Sequence, residues 1–232
     1  MQRPDAAEVA MQPGQQAPGE ARTVRVDAGG IALTGDLVVP ADAIGIVIFA
    51  HGSGSSRLSP RNRAVARSLV SDGFATLLFD LLTPDEELVD RTTRHLRFDI
   101  ALLASRLIGA VAWVSRLVPV GRLPIGLFGA STGAAAALLA ATRTDVRAVV
   151  SRGGRPDLAG DALPEVRCPT LLIVGGADPE VLELNRRARR QMTAITVLHV
   201  VPDAGHLFEE PGALDEVVAV ASRWFRRHLA SG

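Results

Sequence analysis

From Ile44 onward, short apolar segments alternate with longer segments of helical periodicity. Six apolar segments are nearly continuous, which is typical of strands buried on both faces of a sheet. Parallel neighbours need a crossover of a dozen or more residues, and the helical segments supply it. The pattern therefore predicts an α/β fold with a mostly parallel central sheet and helices on both faces. The six segments are IGIVIFA, FATLLFD, LPIGLF, VRAVVS, PTLLIVG and ITVLHVV.

The remaining segments complete the predicted element order. The sequence TVRVDAGGIALTGDLVVP, which starts at Thr23, predicts two strands joined by a turn at Gly29 and Gly30, and so an antiparallel hairpin at the start of the sheet. Apolar residues spaced three and four apart predict one long helix over residues 93–117. Further helices are predicted over residues 60–71, from Thr132, over 181–190 and over 213–229.

Length and composition set the domain organisation. A chain of 232 residues is long enough for one domain that buries roughly three quarters of its unfolded surface. The first 22 residues are rich in Gln, Pro, Gly and Ala and lack the apolar stretch of a signal peptide. We expect residues 1–22 to be a flexible tail and residues 23–232 a single domain. No apolar run approaches the roughly 18 residues of a membrane-spanning helix, so no membrane partner is expected.

Charge and residue usage exclude several classes of function. The 25 basic and 25 acidic residues balance, which gives no electrostatic reason to expect nucleic acid as a partner. All the basic residues are Arg, and the lack of Lys excludes Schiff-base chemistry. Cys168 is the single cysteine, so neither an internal disulfide nor a cysteine metal cluster can form. We expect a cytoplasmic protein without metal or organic cofactor.

Residues 129–133 match the pattern G-x-S-x-G between a predicted strand and a predicted Ala-rich helix. A serine at this sharp turn has a strained backbone, and the residues two positions before and after it must be small. Its hydroxyl is exposed at the positive end of a helix, where developing negative charge is stabilised. The pattern therefore predicts Ser131 as a nucleophile. The alternative interpretation is a tight turn required for packing alone.

A nucleophilic serine also needs donors for the oxyanion, and the loop HGSGSS after the first buried strand is placed to supply one. We predict that the backbone N–H groups of Ser53 and Thr132 form the oxyanion hole, with Gly54 as the alternative to Ser53. A Gly-rich loop before a helix can instead cradle phosphate, but the P-loop pattern requires a Lys.

The chain contains five histidines, and their positions relative to the predicted strands and helices indicate which of them could be the base. His206 follows the last strand in a loop, PDAGHLFEEPG, at the edge of the sheet where Ser131 is predicted. The alternative for His206 is a surface histidine without a partner. The other four are predicted to have structural roles: His51 as a hydrogen-bonding residue beside the oxyanion loop, His95 and His228 on helices, and His199 within a strand.

The acid that orients the base should follow another strand and lie between the serine and the histidine in chain order. Asp178 satisfies both conditions, because GGAD follows the strand PTLLIV. Asp80 also ends a strand but precedes the serine, and it is the second choice. Asp203 lies too near His206 along the chain. A buried carboxylate would hold the imidazole in the tautomer that can take the serine proton.

Over residues 45–229 the chain resembles the α/β-hydrolase superfamily, and within it the dienelactone-hydrolase-like proteins that sometimes occur fused to a phosphoribosyltransferase domain. The phrases that carry the resemblance are FAHGSGSSRLSPRN, LLFDLLTPDEE, GASTGAAAA, VVSRGGRPDLAGDAL, LLIVGGAD and HLFEEPGAL. The resemblance implies an α/β-hydrolase fold with Ser131, Asp178 and His206 as nucleophile, acid and base. Dienelactone hydrolase proper has a cysteine as nucleophile. Cys168, which precedes a strand, is predicted to be a core residue instead.

Fewer than twenty residues separate the strands near Ser151 and Thr170, which is too few for a cap domain. An open site favours small esters or lactones as substrates. Arginines near the site suggest a substrate that carries a carboxylate or phosphate. The candidates for binding it are Arg152, Arg57 and Arg61, with Arg155 close to Arg152. The alternative is that these arginines form salt bridges with Asp157 or with the acidic residues 85–87.

The sequence therefore predicts a serine hydrolase that cleaves small carboxylic esters or lactones through an acyl-enzyme. The same residues would serve an acyltransferase. A hydrolase fold without catalytic activity that binds a ligand or a partner protein is the alternative from another class. The expected partner is a small molecule, and the chain is expected to be a monomer or a homodimer.

Overall fold

The computed structural model describes residues 19–230. Its strands are β1 (Arg22–Asp27), β2 (Ala32–Val38), β3 (Ile46–Ala50), β4 (Ala75–Phe79), β5 (Ile125–Ala130), β6 (Ala148–Arg152), β7 (Thr170–Gly175) and β8 (Thr196–Val201). Its α-helices are α1 (Pro60–Ser71), α2 (Pro84–Thr93), α3 (Ile100–Ser115), α4 (Thr132–Ala141), α5 (Pro179–Gln191) and α6 (Ala213–Leu229). Shorter 3₁₀ segments are Leu96–Phe98, Val120–Arg122 and Pro156–Glu165.

The eight strands form one sheet in the order β1-β2-β4-β3-β5-β6-β7-β8. β2 pairs antiparallel with both β1 and β4, and all the other neighbours are parallel. The predicted parallel sheet with an antiparallel hairpin at its start is therefore confirmed. The carboxyl ends of β3, β5, β6, β7 and β8 lie at the same edge of the sheet, which is where binding loops cluster in this class of fold.

Alternate side chains of the central strands pack into different cores. In β3, Ile46 and Ile48 pack on the side of α3 and α4, whereas Val47 and Phe49 pack on the side of α1 and α6. A strand that is buried on both faces has no polar face, which is why these segments are continuously apolar in the sequence. The predicted helices on both faces of the sheet are confirmed.

The helix predicted over residues 93–117 is shorter in the structure, where α3 spans Ile100–Ser115, so its predicted extent was wrong. α2 ends at Thr93, and Arg94 has a left-handed backbone conformation with φ of 58°. α3 begins only after Asp99, whose side chain accepts a hydrogen bond from the Leu102 N–H at 2.9 Å. His95 lies between α2 and a 3₁₀ segment, so its predicted place on a helix was also wrong.

The helix α2 was not predicted, although its first residues carry a recognisable signal. The Thr83 hydroxyl accepts from the Glu86 N–H, and the Glu86 carboxylate accepts from the Thr83 N–H. This reciprocal pair is a capping box, and Pro84 follows the cap at the first helical position. The acidic run DEE is therefore the first turn of a helix, where negative charge is favourable.

The connection between β6 and β7 contains a 3₁₀ segment and no α-helix, so this part of the described chain has no cap domain. β1 begins at Arg22, one residue inside the predicted tail of residues 1–22, and the Gly19 N–H donates to the Val39 carbonyl at 3.2 Å. Residues 1–18 of that tail lie outside the described residues. Between residues 19 and 230 no helix is long and apolar enough to cross a membrane.

Candidate active site

Ser131 lies in the turn between β5 and α4, with φ of 51° and ψ of −121°. A positive φ is rare for a residue with a side chain, and it turns the chain sharply from strand to helix. Ser131 is partly exposed, whereas the neighbouring Ala130 and Thr132 are buried. The serine side chain is thus presented at the carboxyl edge of the sheet, at the amino end of a helix.

The two glycines of the motif are needed because the backbone packs closely around the turn. A Cβ added to Gly129 would lie 2.4 Å from Ala134 Cα, and one added to Gly133 would lie 2.3 Å from the Ala50 carbonyl oxygen. Both distances are shorter than any van der Waals contact between these atoms. The small residues that the motif requires are therefore explained by contacts with α4 and β3.

His206 and Asp178 form a hydrogen-bonded pair at the same edge of the sheet. His206 Nδ1 lies 2.8 Å from Asp178 Oδ2, and the other carboxylate oxygen accepts from the Val181 N–H at 3.3 Å. Asp178 is thus the N-cap of α5, which fixes the carboxylate. The Asp178 side chain is 16% exposed and that of His206 is 38% exposed. When Nδ1 donates to Asp178, Nε2 is the nitrogen left to accept a proton.

Ser131 and His206 contact the same short loop, residues 152–155. The Ser131 N–H donates to the Arg152 carbonyl at 3.2 Å, and the Arg155 N–H donates to the Ser131 carbonyl at 3.1 Å. Between these two, a Cβ on Gly153 would lie 3.0 Å from the His206 carbonyl oxygen and 3.6 Å from its ring carbon Cε1. The structure therefore brings the serine and the histidine–aspartate pair together around one loop.

The loop that follows β3 lies directly against Ser131. A Cβ on Gly52 would be 3.1 Å from Ser131 Cβ. The Ser53 N–H makes no hydrogen bond to another residue of the range 19–230. Thr132 is the first residue of α4, so its N–H has no acceptor within the helix. The two N–H groups predicted for an oxyanion hole thus flank the serine from different elements.

His51 is held by two hydrogen bonds beside this loop. Its Nε2 accepts from the Leu81 N–H at 3.1 Å, and its Nδ1 lies 3.0 Å from the Gly52 carbonyl, to which it donates. Burial lowers the pKa of His51, against the opposing effects of the Gly52 hydrogen bond and the Asp80 carboxylate. A neutral ring in this tautomer anchors the loop to the segment that follows β4. The structural role predicted for His51 agrees with this geometry.

The three remaining histidines lie away from Ser131. His199, in β8, bonds to the Glu216 carboxylate at 2.7 Å, and His95 bonds to the Thr93 hydroxyl at 2.9 Å. His228, in α6, packs on Trp224 with ring centroids 4.4 Å apart. Of the five histidines, His206 is the one whose ring lies against the loop 152–155 that also bonds to Ser131.

Three of the four arginines near the site are engaged by carboxylates. Arg57 donates to Asp80 at 2.6 Å, so the second-choice acid Asp80 binds an arginine and not the base. Arg61 bonds to Glu209 at 3.0 Å. Arg155 forms a two-point pair with Asp157, as the salt-bridge alternative anticipated. Arg152 differs from these three, because it is buried and makes no ion pair with any residue from 19 to 230.

Two side chains that sequence reasoning missed hold the loops of the site. Asn185 is fully buried in α5, and its amide donates to the Gly154 carbonyl at 2.9 Å, which fixes the loop after β6. The Glu210 carboxylate accepts from the Gly205 N–H at 2.9 Å, which closes the loop that carries His206. The sequence did contain a signal for Asn185, because it is a polar residue on the same helical face as the buried residues Val181 and Ala188.

Cys168 is buried at the amino end of β7, far along that strand from the edge where Ser131 lies. Burial raises the pKa of its thiol to about 11, so little thiolate is present at neutral pH. This agrees with the predicted core role. Within residues 19–230, no three His, Cys, Asp or Glu side chains are grouped closely enough to hold a metal ion.

Comparison with known sequences identifies relatives over most of the chain. The model of the dienelactone hydrolase family matches residues 33–229. Two Mycobacterium tuberculosis proteins, from strains CDC 1551 and H37Rv, are provisionally named phosphoribosyl transferases and are each 59% identical over 208 residues. The match covers 89% of this chain and 46% of each relative, so the chain spans less than half the length of the curated relatives.

Comparison with solved structures agrees with the family match. Dienelactone hydrolase from Anabaena variabilis is 56% identical, with a TM-score of 0.89 over 91% of this chain and 99% of that one. Est1E from Butyrivibrio proteoclasticus, 17% identical, has the same fold with a TM-score of 0.75 over 90% of this chain and 99% of its own. The chain with the Ser131 turn and the His206–Asp178 pair therefore belongs to the dienelactone hydrolase family of α/β-hydrolases.

Proposed function

We propose that the protein is a serine hydrolase that cleaves small carboxylic esters or lactones through an acyl-enzyme. The observation that carries the proposal is the 2.8 Å hydrogen bond between His206 Nδ1 and Asp178. The ring of His206 lies against the loop 152–155, and the backbone of Ser131 is hydrogen-bonded to the same loop. A histidine held by a carboxylate beside a serine in a strand-to-helix turn is the arrangement that activates a hydroxyl. Family membership supports hydrolysis as the class of reaction.

Each group has a defined role in this reaction. Ser131 Oγ attacks the ester carbonyl while His206 Nε2 takes the hydroxyl proton, and Asp178 stabilises the imidazolium that forms. The N–H groups of Ser53 and Thr132 donate to the oxyanion of the tetrahedral intermediate. His206 then gives its proton to the leaving alcohol, and the acyl group remains on Ser131. Water, activated by His206, hydrolyses the acyl-enzyme and restores the serine.

The open edge of the sheet supports small substrates. Between β6 and β7 the described chain carries only the 3₁₀ segment Pro156–Glu165, which is too short to form a tunnel for a long acyl chain. The relatives from Mycobacterium tuberculosis are named for phosphoribosyl transfer, but this chain aligns with less than half of their length. We therefore propose hydrolysis as the activity of this chain.

A chain-length series of p-nitrophenyl esters, from acetate to palmitate, tests the proposal. We expect kcat/KM to be highest for the acetate and butyrate and to fall for longer acyl chains, because the open site buries few additional methylenes. Ser131→Ala should lower kcat by about 10⁴-fold or more for every ester. The control is Cys168→Ala, which should keep the ester preference of the native protein. Activity that survives Ser131→Ala but is lost in Cys168→Ala would contradict the proposal.

A further inference from the structure

β8 is the last strand of the sheet, and no strand formed by residues 19–230 lies on its outer side. Every second residue of the strand bonds to β7, beginning with the Ile195 carbonyl, which accepts from the Thr170 N–H at 2.8 Å. In such a ladder the residues between them direct their N–H and C=O groups the other way. Three residues of β8 therefore present unpaired backbone groups at the open edge, namely Thr196, Leu198 and Val200.

The two edges of the sheet differ in their protection against pairing with another strand. β1, at the opposite edge, carries Arg22, Arg25 and Asp27, and charged side chains on an edge strand oppose the addition of a further strand. β8 has the sequence TVLHVV, which contains no arginine, acidic residue or proline, and its histidine is bonded to Glu216 of α6. β8 is thus an edge strand without the usual protection.

Apolar side chains are exposed along the same edge. Ile195 is 65% exposed, Val197 is 41% exposed and Val200 is 36% exposed. Val200 lies on the side of α5, because Leu198, two positions earlier, packs against Leu182 of that helix. Val197 lies on the other face of the strand, toward α6. Apolar surface is therefore exposed on both faces beside the unpaired backbone groups, which is typical of a contact with another protein.

The helix α5 flanks this edge and has an uneven distribution of charge. Arg186 and Arg189 follow Leu182 by four and seven positions, so they lie on the side of the helix that faces β8. The first half of the helix contains Glu180 and Glu183. The second half contains four arginines, which are Arg186, Arg187, Arg189 and Arg190. α5 is therefore acidic near the carboxyl edge of the sheet and basic at its other end.

A second copy of the chain complements this edge through antiparallel pairing about a twofold axis. Residues opposite each other in such a pair have side chains on the same face, and their outward backbone groups must meet. An axis at Leu198 satisfies both conditions, because it places Leu198 opposite its own copy and Thr196 opposite Val200. The two α5 helices then run in opposite directions on one face. Their arginine-rich ends lie apart, and the acidic end of each lies beside the basic half of the other.

We infer that two copies of the chain form a homodimer through β8, in which their sheets join into one continuous sheet. Pairing satisfies the free backbone groups of both strands and covers apolar side chains on both faces. The inference does not depend on the proposed hydrolase function. Because the two sheets run in opposite directions, the carboxyl edge of each copy faces away from that of the other, and both active sites stay open.

Sedimentation equilibrium of the full chain, from about 1 to about 200 µM, tests whether the dimer exists. We expect a dimer at the upper concentrations and dissociation on dilution, as for an interface of small size. Val197→Lys should raise the dissociation constant by about 10-fold or more, because a lysine on an edge strand opposes pairing. The control is Leu88→Lys, at an exposed leucine of α2, which should keep the native dissociation constant. Ser131→Ala should also dimerise like the native chain.

The backbone pairing is tested by Thr196→Pro. The Thr196 N–H points away from β7, and proline is tolerated at the first residue of an edge strand, so the variant loses no bond within its own sheet. It should weaken the dimer by about 10-fold or more, because proline lacks the N–H that the second copy would bind.

A disulfide tests the register. In a Cys168→Ala chain, Leu198→Cys would place two cysteines opposite each other with Cα atoms about 5.5 Å apart, which is within the range for a disulfide. Mild oxidation should link the two chains, whereas Leu88→Cys in the same background should stay unlinked. A native chain that is monomeric at about 200 µM would overturn the inference. A dimer that neither Val197→Lys nor Thr196→Pro weakens, or in which Leu198→Cys forms no link, would overturn it as well.

Discussion

Ser131 has a backbone conformation that is imposed by the residues around it. A positive φ costs a residue with a side chain about 1–3 kcal/mol, and it persists only where the surrounding structure determines it. Here the Ser131 N–H and carbonyl are both bonded to the loop after β6, which holds the turn from outside. This strained conformation directs the Ser131 hydroxyl to the edge of the sheet where His206 lies.

Asp178 has two functions that can be separated by substitution. Asp178→Asn should lower kcat by about 10³- to 10⁴-fold with a small change in KM, because it favours the wrong tautomer of His206. The amide oxygen can still cap α5, so the free energy of unfolding should change little. Asp178→Ala should lose the same activity and, in addition, about 1 kcal/mol of stability with the cap. Steady-state kinetics and urea denaturation measure the two effects, and full activity in Asp178→Asn would contradict the assigned role.

His51 predicts a pH dependence of stability. Burial lowers its pKa in the folded protein, so below the ordinary value of 6.5 the unfolded chain binds a proton that the folded chain resists. The unfolding free energy should therefore decrease as the pH falls from about 7.5 to 5.5, with up to about 1 kcal/mol due to this residue. His51→Gln keeps a donor and an acceptor but does not titrate, so its urea denaturation curves should depend less on pH. Equal pH dependence in both proteins would exclude this role.

The positions of single residues could be predicted where a pattern specifies them. Ser131, Asp178 and His206 were named from a motif and from their place after strands, and the structure brings them to one edge. The pairing of the arginines could not be predicted. The segment SRGGRPD contains two arginines and one aspartate, and only the fold shows that Asp157 binds Arg155, while the buried Nη1 of Arg152 has no hydrogen-bond partner among residues 19–230.

Among the elements, the turn between β5 and α4 depends on close backbone packing. Gly133 approaches the carbonyl oxygens of Ala50 and His51, where an added Cβ would lie at 2.3 and 2.5 Å. These atoms belong to β3 and to the start of the oxyanion loop. The turn that carries Ser131 and the loop after β3, which is proposed to supply an oxyanion donor, are therefore packed directly together.

Gly133→Ala should destabilise the protein by about 3 kcal/mol, because the added methyl group can fit only if β3 or α4 moves. It should also lower kcat, since the same movement displaces the loop from Ser131. The control is Gly73→Ala, at a glycine with φ of 90° and no atom within 4 Å of the added Cβ. That variant should lose about 1 kcal/mol from backbone strain and keep its kcat. Equal losses of stability in the two variants, measured in urea, would contradict the packing argument.

The boundaries of the elements could be predicted where one local signal dominates. α1 begins at Pro60 and α6 at Ala213, as their sequences predict. The start of α3 was predicted seven residues too early, because Leu96, which lies in a 3₁₀ segment, continues the apolar periodicity of the helix. The positive φ of Arg94 ends α2, and the Asp99 carboxylate caps the start of α3. Both are features of the backbone and its hydrogen bonds, so the spacing of apolar residues does not reveal them.

In the whole molecule, the sheet explains why residues far apart in the chain meet. β3, β5, β6 and β7 are parallel neighbours, so the loop after β3, Ser131, the end of β6 at Arg152, and Asp178 all lie at one edge of the sheet. The alternation of apolar and helical segments allows this class of sheet to be predicted. The strand order and the pairing register depend on contacts between distant segments, which a single sequence does not display.

The most direct test of the account is labelling with a fluorophosphonate, which reacts with an activated serine. Peptide mass spectrometry of the labelled native protein should find one adduct per chain, on Ser131. The adduct should be absent from Ser131→Ala and should form much more slowly in His206→Gln, because the imidazole no longer takes the serine proton. An adduct on another residue, or no adduct in a preparation that hydrolyses esters, would contradict the assignment of Ser131 as the nucleophile.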